Sequence, residues 1–178
     1  MAIKVVCFLR QSCAKFRRMK EETGQGETGK SQFTFTPREI VIIQGLADGL
    51  SRDEIGRKLG EGIRERSVSY EALSMAERIC GHIEASAVCK TVVEAYRQGR
   101  VTANNLPSDP DPALSEVEFM TLAMTAEGCK SGEVARKIGE SPSYLLVHRK
   151  SIIRKLGVGT LYRVALWYAD KLKQRGLL

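Results

Sequence analysis

Four cations, Arg149, Lys150, Arg154 and Lys155, crowd into a short stretch near the carboxyl end. Guanidinium and ammonium groups held along one helix neutralise phosphates, and their N–H donors also match the guanine edge in a major groove. The bland alternative for such a run is a solvated helix face. A second chemistry is spelled out at Gly24-Gln25-Gly26-Glu27-Thr28-Gly29-Lys30-Ser31, a literal P-loop pattern. That cradle needs an apolar strand just before it and a helix opening at the Lys-Ser. Here residues 17–23 are polar, and Phe33 to Pro37 reads as extended chain up to a fresh helix cap. Nucleotide binding is therefore rejected. The two histidines, His82 and His148, are far apart in the chain. No paired carboxylates and no nucleophile–base set stand out, so no catalytic residues and no enzyme are expected.

The five cysteines are Cys7, Cys13, Cys80, Cys89 and Cys129. An odd count without a Cys-x-x-Cys pair argues against a disulfide framework and a zinc finger. Cys80, His82 and Cys89 offer three metal ligands, but the fourth ligand and the usual paired spacing are missing. The expectation is reduced cysteines packed as small hydrophobes, with no metal and no cofactor. The apolar start, Met1 to Leu9, is short, is broken at Arg10 and lacks a small-residue cleavage site. No apolar run approaches the ~20 residues that cross a bilayer. A cytoplasmic location without membrane association follows as the expectation.

The elements that would position these groups are punctuated regularly. Thr36-Pro37-Arg38-Glu39 is a capping box with proline at the first helical position. Ile40, Ile43, Leu46 and Ala47 recur at helical spacing, and Gly49 stops the helix. Ser51 to Glu54 is a second box, opening a short helix that ends at Leu59-Gly60. Further helices are predicted over about 65–79 and about 84–98. Residues 102–112 hold three of the five prolines and no apolar period, which marks a linker. The pattern then begins again: a capping box at Ser115 to Glu118, Gly128 as a stop, a short helix from Ser131 to Gly139, a third from Ser141-Pro142 to Gly157, and a fourth capped by Thr160.

The two stretches share a register. Phe35 aligns with Leu114, Gly49 with Gly128, Ile55 with Val134, and Leu59-Gly60 with Ile138-Gly139. After a two-residue insertion near Glu61-Gly62, Val68 aligns with Leu145, Met75 with Ile152 and Arg78 with Lys155. Core, glycine and cap positions agreeing together indicate an internal duplication. The predicted fold is all-α: a basic arm over residues 1–34, a four-helix unit over 35–101, the linker, and a second four-helix unit over 113–178. Two short helices joined by a tight turn form a helix-turn-helix layout, whose second helix fits a major groove about 12 Å wide. A plain helical bundle without a ligand fits the layout equally well.

Leu114 to Leu178 resembles the LuxR/GerE family of helix-turn-helix domains. The third helix carries His148, Ile152, Lys155, Leu156 and Gly157 at the family's matching places. Residues 35–101 resemble the front of that pattern more closely, through Thr36-Pro37-Arg38-Glu39 and Gly49-Leu50-Ser51-Arg52-Asp53-Glu54-Ile55-Gly56. Their back half is degenerate, with Glu71 in place of the family's His and Leu73 at a base-reading position. The resemblance implies a bacterial regulator of transcription that binds double-stranded DNA. It implies base contacts from Leu146, Val147 and Lys150, with His148 and Lys155 near phosphates; on this chain's own layout and charge, Ser143 and Tyr144 at the start of the helix join the base readers, and Arg149 and Arg154 join Lys155 in neutralising phosphates. Weaker contacts would come from Arg64, Arg66, Ser69 and Tyr70 in the first unit. Tyr144, Leu146 and Ser151 depart from the family's Thr, Lys and Asn, so the target sequence does not carry over.

Charge separates the two units. The arm has seven Lys/Arg against three Asp/Glu, the first unit ten of each, and the second unit eleven against six. Displacing condensed counterions from DNA requires cations, and only the arm and the second unit have the surplus. In the last helix Leu161, Val164, Ala165, Tyr168 and Leu172 form a core stripe, while Leu166 and Trp167 fall off it. These two are interface candidates, for a homodimer or for an intramolecular pseudo-dimer; simple core burial of Trp167 fits as well. RNA polymerase or another regulator is a further possible partner. Residues 1–34 leave no room for a receiver-like or ligand-binding sensor, so control by abundance or by a protein partner is expected. The rival readings are an antiactivator or adaptor that binds another regulator, and a DNA-binding recombination accessory factor.

Overall fold

Local sequence signals decide where each helix begins. In the computed structural model, which describes residues 33–60, 63–107 and 113–177, all regular structure is helical. The first four helices are α1 (Pro37–Asp48), α2 (Arg52–Leu59), α3 (Glu65–Cys80) and α4 (Ala85–Arg97). The next four are α5 (Glu116–Ala126), α6 (Ser131–Ile138), α7 (Pro142–Leu156) and α8 (Leu161–Gln174). The P-loop-like run 24–31 and the basic cluster of the arm lie outside the described residues, as do residues 108–112.

Three capping boxes form as the sequence dictates. Thr36, Ser51 and Ser115 each accept from the backbone N–H three residues on, and Glu39, Glu54 and Glu118 each accept from the cap backbone in return. Each box satisfies donors that the first helical turn would otherwise leave unpaired. Gly49, at φ +80°, closes α1 in the left-handed conformation that a Cβ disfavours. The helix expected to open at Ser131 does so, preceded by Lys130 at the cap position, which makes no side-chain cap bond.

Packing repeats the sequence register. In the first half α1 packs on α2, α3 and α4, α2 on α3, and α3 on α4. In the second half α5 packs on α6, α7 and α8, α6 on α7, and α7 on α8. Aligned positions match in burial: Ile55 with Val134, Val68 with Leu145, and Met75 with Ile152 are all excluded from solvent. At Gly45, α1 lies tight against Ile55 of α2. A Cβ there would lie 2.5 Å from Ile55 Cγ1, so no larger residue fits without displacing that side chain.

The halves do not stand apart. Residues Phe35–Leu178 gather into one compact unit, in which α4 packs extensively on α8, α1 reaches α8, and α4 reaches α5. Leu166 and Trp167 are both buried, so the second stripe of α8 is covered by this same chain. Polar contacts fasten the junction. The Tyr96 hydroxyl donates to Asp170 Oδ1 at 2.6 Å, and the Lys173 ammonium lies 4.9 Å from the centre of the Tyr96 ring. His82 Nε2 meets the Gly128 carbonyl at 2.8 Å, Ser131 N–H donates to Glu84 at 2.7 Å, and Arg97 pairs with Glu127 at 3.0 Å. From the other side, Arg52 donates to the Tyr162 hydroxyl and Arg163 to the carbonyls of Asn104 and Asn105. Among the described residues no helix is long and apolar enough to cross a membrane.

Candidate nucleic-acid interface

Helix α7 begins at Pro142, a proline at the first position, where its missing N–H costs no helical bond. Its inner face is Leu145, Arg149, Ile152 and Leu156, at helical spacing and buried. Its outer face carries Ser143, Tyr144, Leu146, Val147, Lys150 and Arg154, all exposed. Tyr144, Leu146 and Val147 each keep more than half of their surface in solvent (57%, 58% and 58%). Helix α7 contains no aspartate or glutamate, so nothing on it neutralises Lys150 or Arg154. The partial positive charge of its N-terminus adds to the same sign.

Two cations expected at phosphates are committed elsewhere. Arg149 retains only 8% of its surface and turns inward, where Nη1 donates to Ser131 Oγ at 3.4 Å. Burial pulls its guanidinium down from its usual value, against the nearby Cys89 and Glu84. The physical reason is its place on the inner stripe: position 149 stands one turn from Leu145 and from Ile152. Lys155 donates to the Glu118 carboxylate at 2.7 Å and to the Ala113 carbonyl at 3.0 Å. Burial alone would raise the Glu118 carboxyl. Hydrogen bonds from Lys155, the Ser115 backbone and Ser151 outweigh it and hold the group at about 2. His148 is half-buried, and its Nε2 finds no hydrogen-bond partner among the described residues.

The weaker candidates lie on and beside α3. Arg64, Arg66 and Tyr70 are exposed, Tyr70 at 75%, and Ser69 is half-buried. Unlike α7, this helix carries Glu65, Glu71 and Glu77 along its length. Glu71 takes a forked contact from Arg38, at 2.8 Å from Nε and 2.7 Å from Nη2. The two third helices therefore present unlike outer faces: an apolar and cationic one on α7, a mixed-charge one on α3.

Sequence reasoning weighed His82 only as a metal ligand and passed over the other junction residues, Glu84, Tyr96, Arg163 and Asp170. They pair over separations of 46 to 74 residues, for which a single sequence holds no local signal. Among the described residues no three His, Cys, Asp or Glu side chains gather as metal ligands. Cys80 Sγ faces the Ala87 carbonyl and Cys89 Sγ the Leu161 carbonyl, and burial drives the Cys89 thiol up to about 12. Such a thiol stays protonated at neutral pH and is a poor ligand or nucleophile. No family model, no curated protein and no solved structure matches this chain.

Proposed function

We propose that this chain is a DNA-binding regulator of transcription of the LuxR/GerE type, in which two helix-turn-helix units form an intramolecular pseudo-dimer. Helices α2–α3 and α6–α7 are the two helix-turn-helix pairs, and α7 is the stronger reader of duplex DNA. The observation that carries this reading is the outer face of α7: acid-free, exposed, and bearing Lys150 and Arg154 beside Ser143, Tyr144, Leu146 and Val147. Lys150 contacts a base edge and Arg154 a phosphate. Arg149 and Lys155 belong to the scaffold that presents the helix. The burial of Leu166 and Trp167 within a single chain, together with the packing of α4 on α8, supports a pseudo-dimer over a homodimer. One chain then contacts one duplex through two unlike reading helices, which favours a target without palindromic symmetry. A cytoplasmic, nucleoid-associated location goes with this role.

The test is fluorescence anisotropy of a labelled duplex titrated with the full chain across a salt series. Binding that weakens steeply with salt is expected. Lys150→Ala should cost about 1–3 kcal/mol and relax sequence preference, and Arg154→Ala should reduce the salt slope by about one unit. Unchanged affinity in both variants rejects the assignment.

The exposed Tyr70, Tyr144, Leu146 and Val147 also favour a second reading, an antiactivator or adaptor whose third helices dock on another regulator or on RNA polymerase. A genome-wide occupancy map separates the possibilities. Promoter peaks support the regulator, an absence of peaks supports the adaptor, and peaks at attachment sites support a recombination accessory factor.

A further inference from the structure

Six large apolar side chains are strongly exposed among the described residues, and three of them, Tyr144, Leu146 and Val147, share the outer face of α7. The cations of that face, Lys150 and Arg154, follow one and two turns later. Leu146 and Val147 carry no hydrogen-bonding group, so they are blind to the donor and acceptor pattern of a base edge. The one feature of a major groove that an aliphatic side chain contacts favourably is the 5-methyl group of thymine.

Resting on the DNA-binding role proposed above, we infer that Leu146 and Val147, with Tyr144 beside them, are thymine-methyl readers, and that the half-site under α7 is specified mainly by T·A pairs. Duplex DNA is favoured over a protein as the occupant of this face because its charge is complementary. Helix α7 has no acidic residue and two exposed cations, Lys150 and Arg154, and the second half as a whole has eleven Lys/Arg against six Asp/Glu. The aliphatic pair sits between Ser143 at the start of the face and Lys150 after it, the stretch of a reading helix that lies deepest in the groove. Arg or Lys at these two places would read guanine and Asp or Glu cytosine; this sequence has none of them there. On α3 the aligned residues are Ser69 and Tyr70, so the first half does not share the preference.

The experiment selects binders for the full chain from a random duplex library at low salt, then resynthesises the enriched duplex with uracil in place of thymine. Uracil pairs as thymine does and lacks only the methyl. The expected result is an affinity loss of about fourfold for each contacted methyl, with the salt slope unchanged. Leu146→Ala and Val147→Ala, both at exposed positions, should keep the thermal midpoint of the parent and each lose less affinity on the replacement than the parent does. A chain that binds the selected duplex tightly but ignores the change from thymine to uracil overturns the inference while leaving the DNA-binding role intact. A chain that enriches no duplex overturns both, and a protein partner that loses affinity for Leu146→Ala then identifies the face as a protein-docking surface.

Discussion

Lys155 and Glu118 form a clasp in the second half, 2.7 Å from ammonium to carboxylate, and Arg78 and Glu39 repeat it in the first half at 2.9 Å. In both cases the acid is the third helical residue of a capping box, and the cation lies near the end of the third helix of the same half. One carboxylate thus closes the start of one helix and anchors the end of another. The cation of α7 that lies nearest its carboxyl end therefore ties that helix to the start of α5.

This clasp predicts an acid sensitivity. The Glu118 carboxyl is held at about 2, well below its ordinary 4.5. Its contribution is complete above the unfolded value and is lost as pH falls towards 2. Glu118→Gln should lower stability at neutral pH and flatten its decline between pH 4.5 and 2, as followed by circular dichroism. Lys155→Met should cost about 1.5–3 kcal/mol, because it leaves a buried carboxylate short of a charged partner. An unchanged unfolding midpoint in Lys155→Met would contradict the clasp.

Arg149 and Lys150 are adjacent in sequence and opposed in role. Arg149 is buried with Nε and Nη2 unpartnered among the described residues, whereas Lys150 is exposed. Arg149→Met should keep or raise the unfolding midpoint, since it replaces an incompletely bonded buried cation by an apolar chain of similar length. Lys150→Ala should leave that midpoint where it is and act on DNA affinity alone. A strongly destabilised Arg149→Met would show that the guanidinium is better satisfied than its contacts indicate.

Gly45 tests the packing of α1 on α2. Ala adds a single methyl, which would stand 2.5 Å from Ile55 Cγ1. Overpacking of this kind costs about 1–3 kcal/mol, against a gain in helix propensity of up to ~1 kcal/mol. Gly45→Ala should therefore lower the denaturant midpoint, and an increase would mean that Ile55 shifts freely.

The covered face of α8 predicts a monomer. With Leu166 and Trp167 buried, light scattering behind size exclusion should report a mass near 19.7 kDa. A dimer mass would mean that another surface joins two chains.

The helices were legible because caps, stops and apolar spacing are local. Thr36, Ser51 and Ser115 each stand before a glutamate three residues on, and each begins a helix that it caps. The side-chain directions on α7 were legible in part. Leu145, Ile152 and Leu156 define an inner face that passes through position 149, yet the charge of Arg149 favoured an outward reading. The partner of Lys155 is 37 residues away, and that of His82 is 46 away. Such pairings depend on how the helices pack, which no local spacing encodes. The same is true of the junction: Leu166 and Trp167 marked α8 as an interface helix, but only the packing of α4 on α8 shows that the covering surface lies in the same chain.

The most direct test of the central claim is the salt dependence of duplex binding by the full chain, measured beside the double variant Lys150→Ala/Arg154→Ala. The prediction is tight binding at low salt that falls steeply as salt rises, and a variant that retains the fold while losing affinity and roughly one to two units of salt slope. A parent chain that ignores every duplex at low ionic strength, or a variant that binds as the parent does, would contradict it.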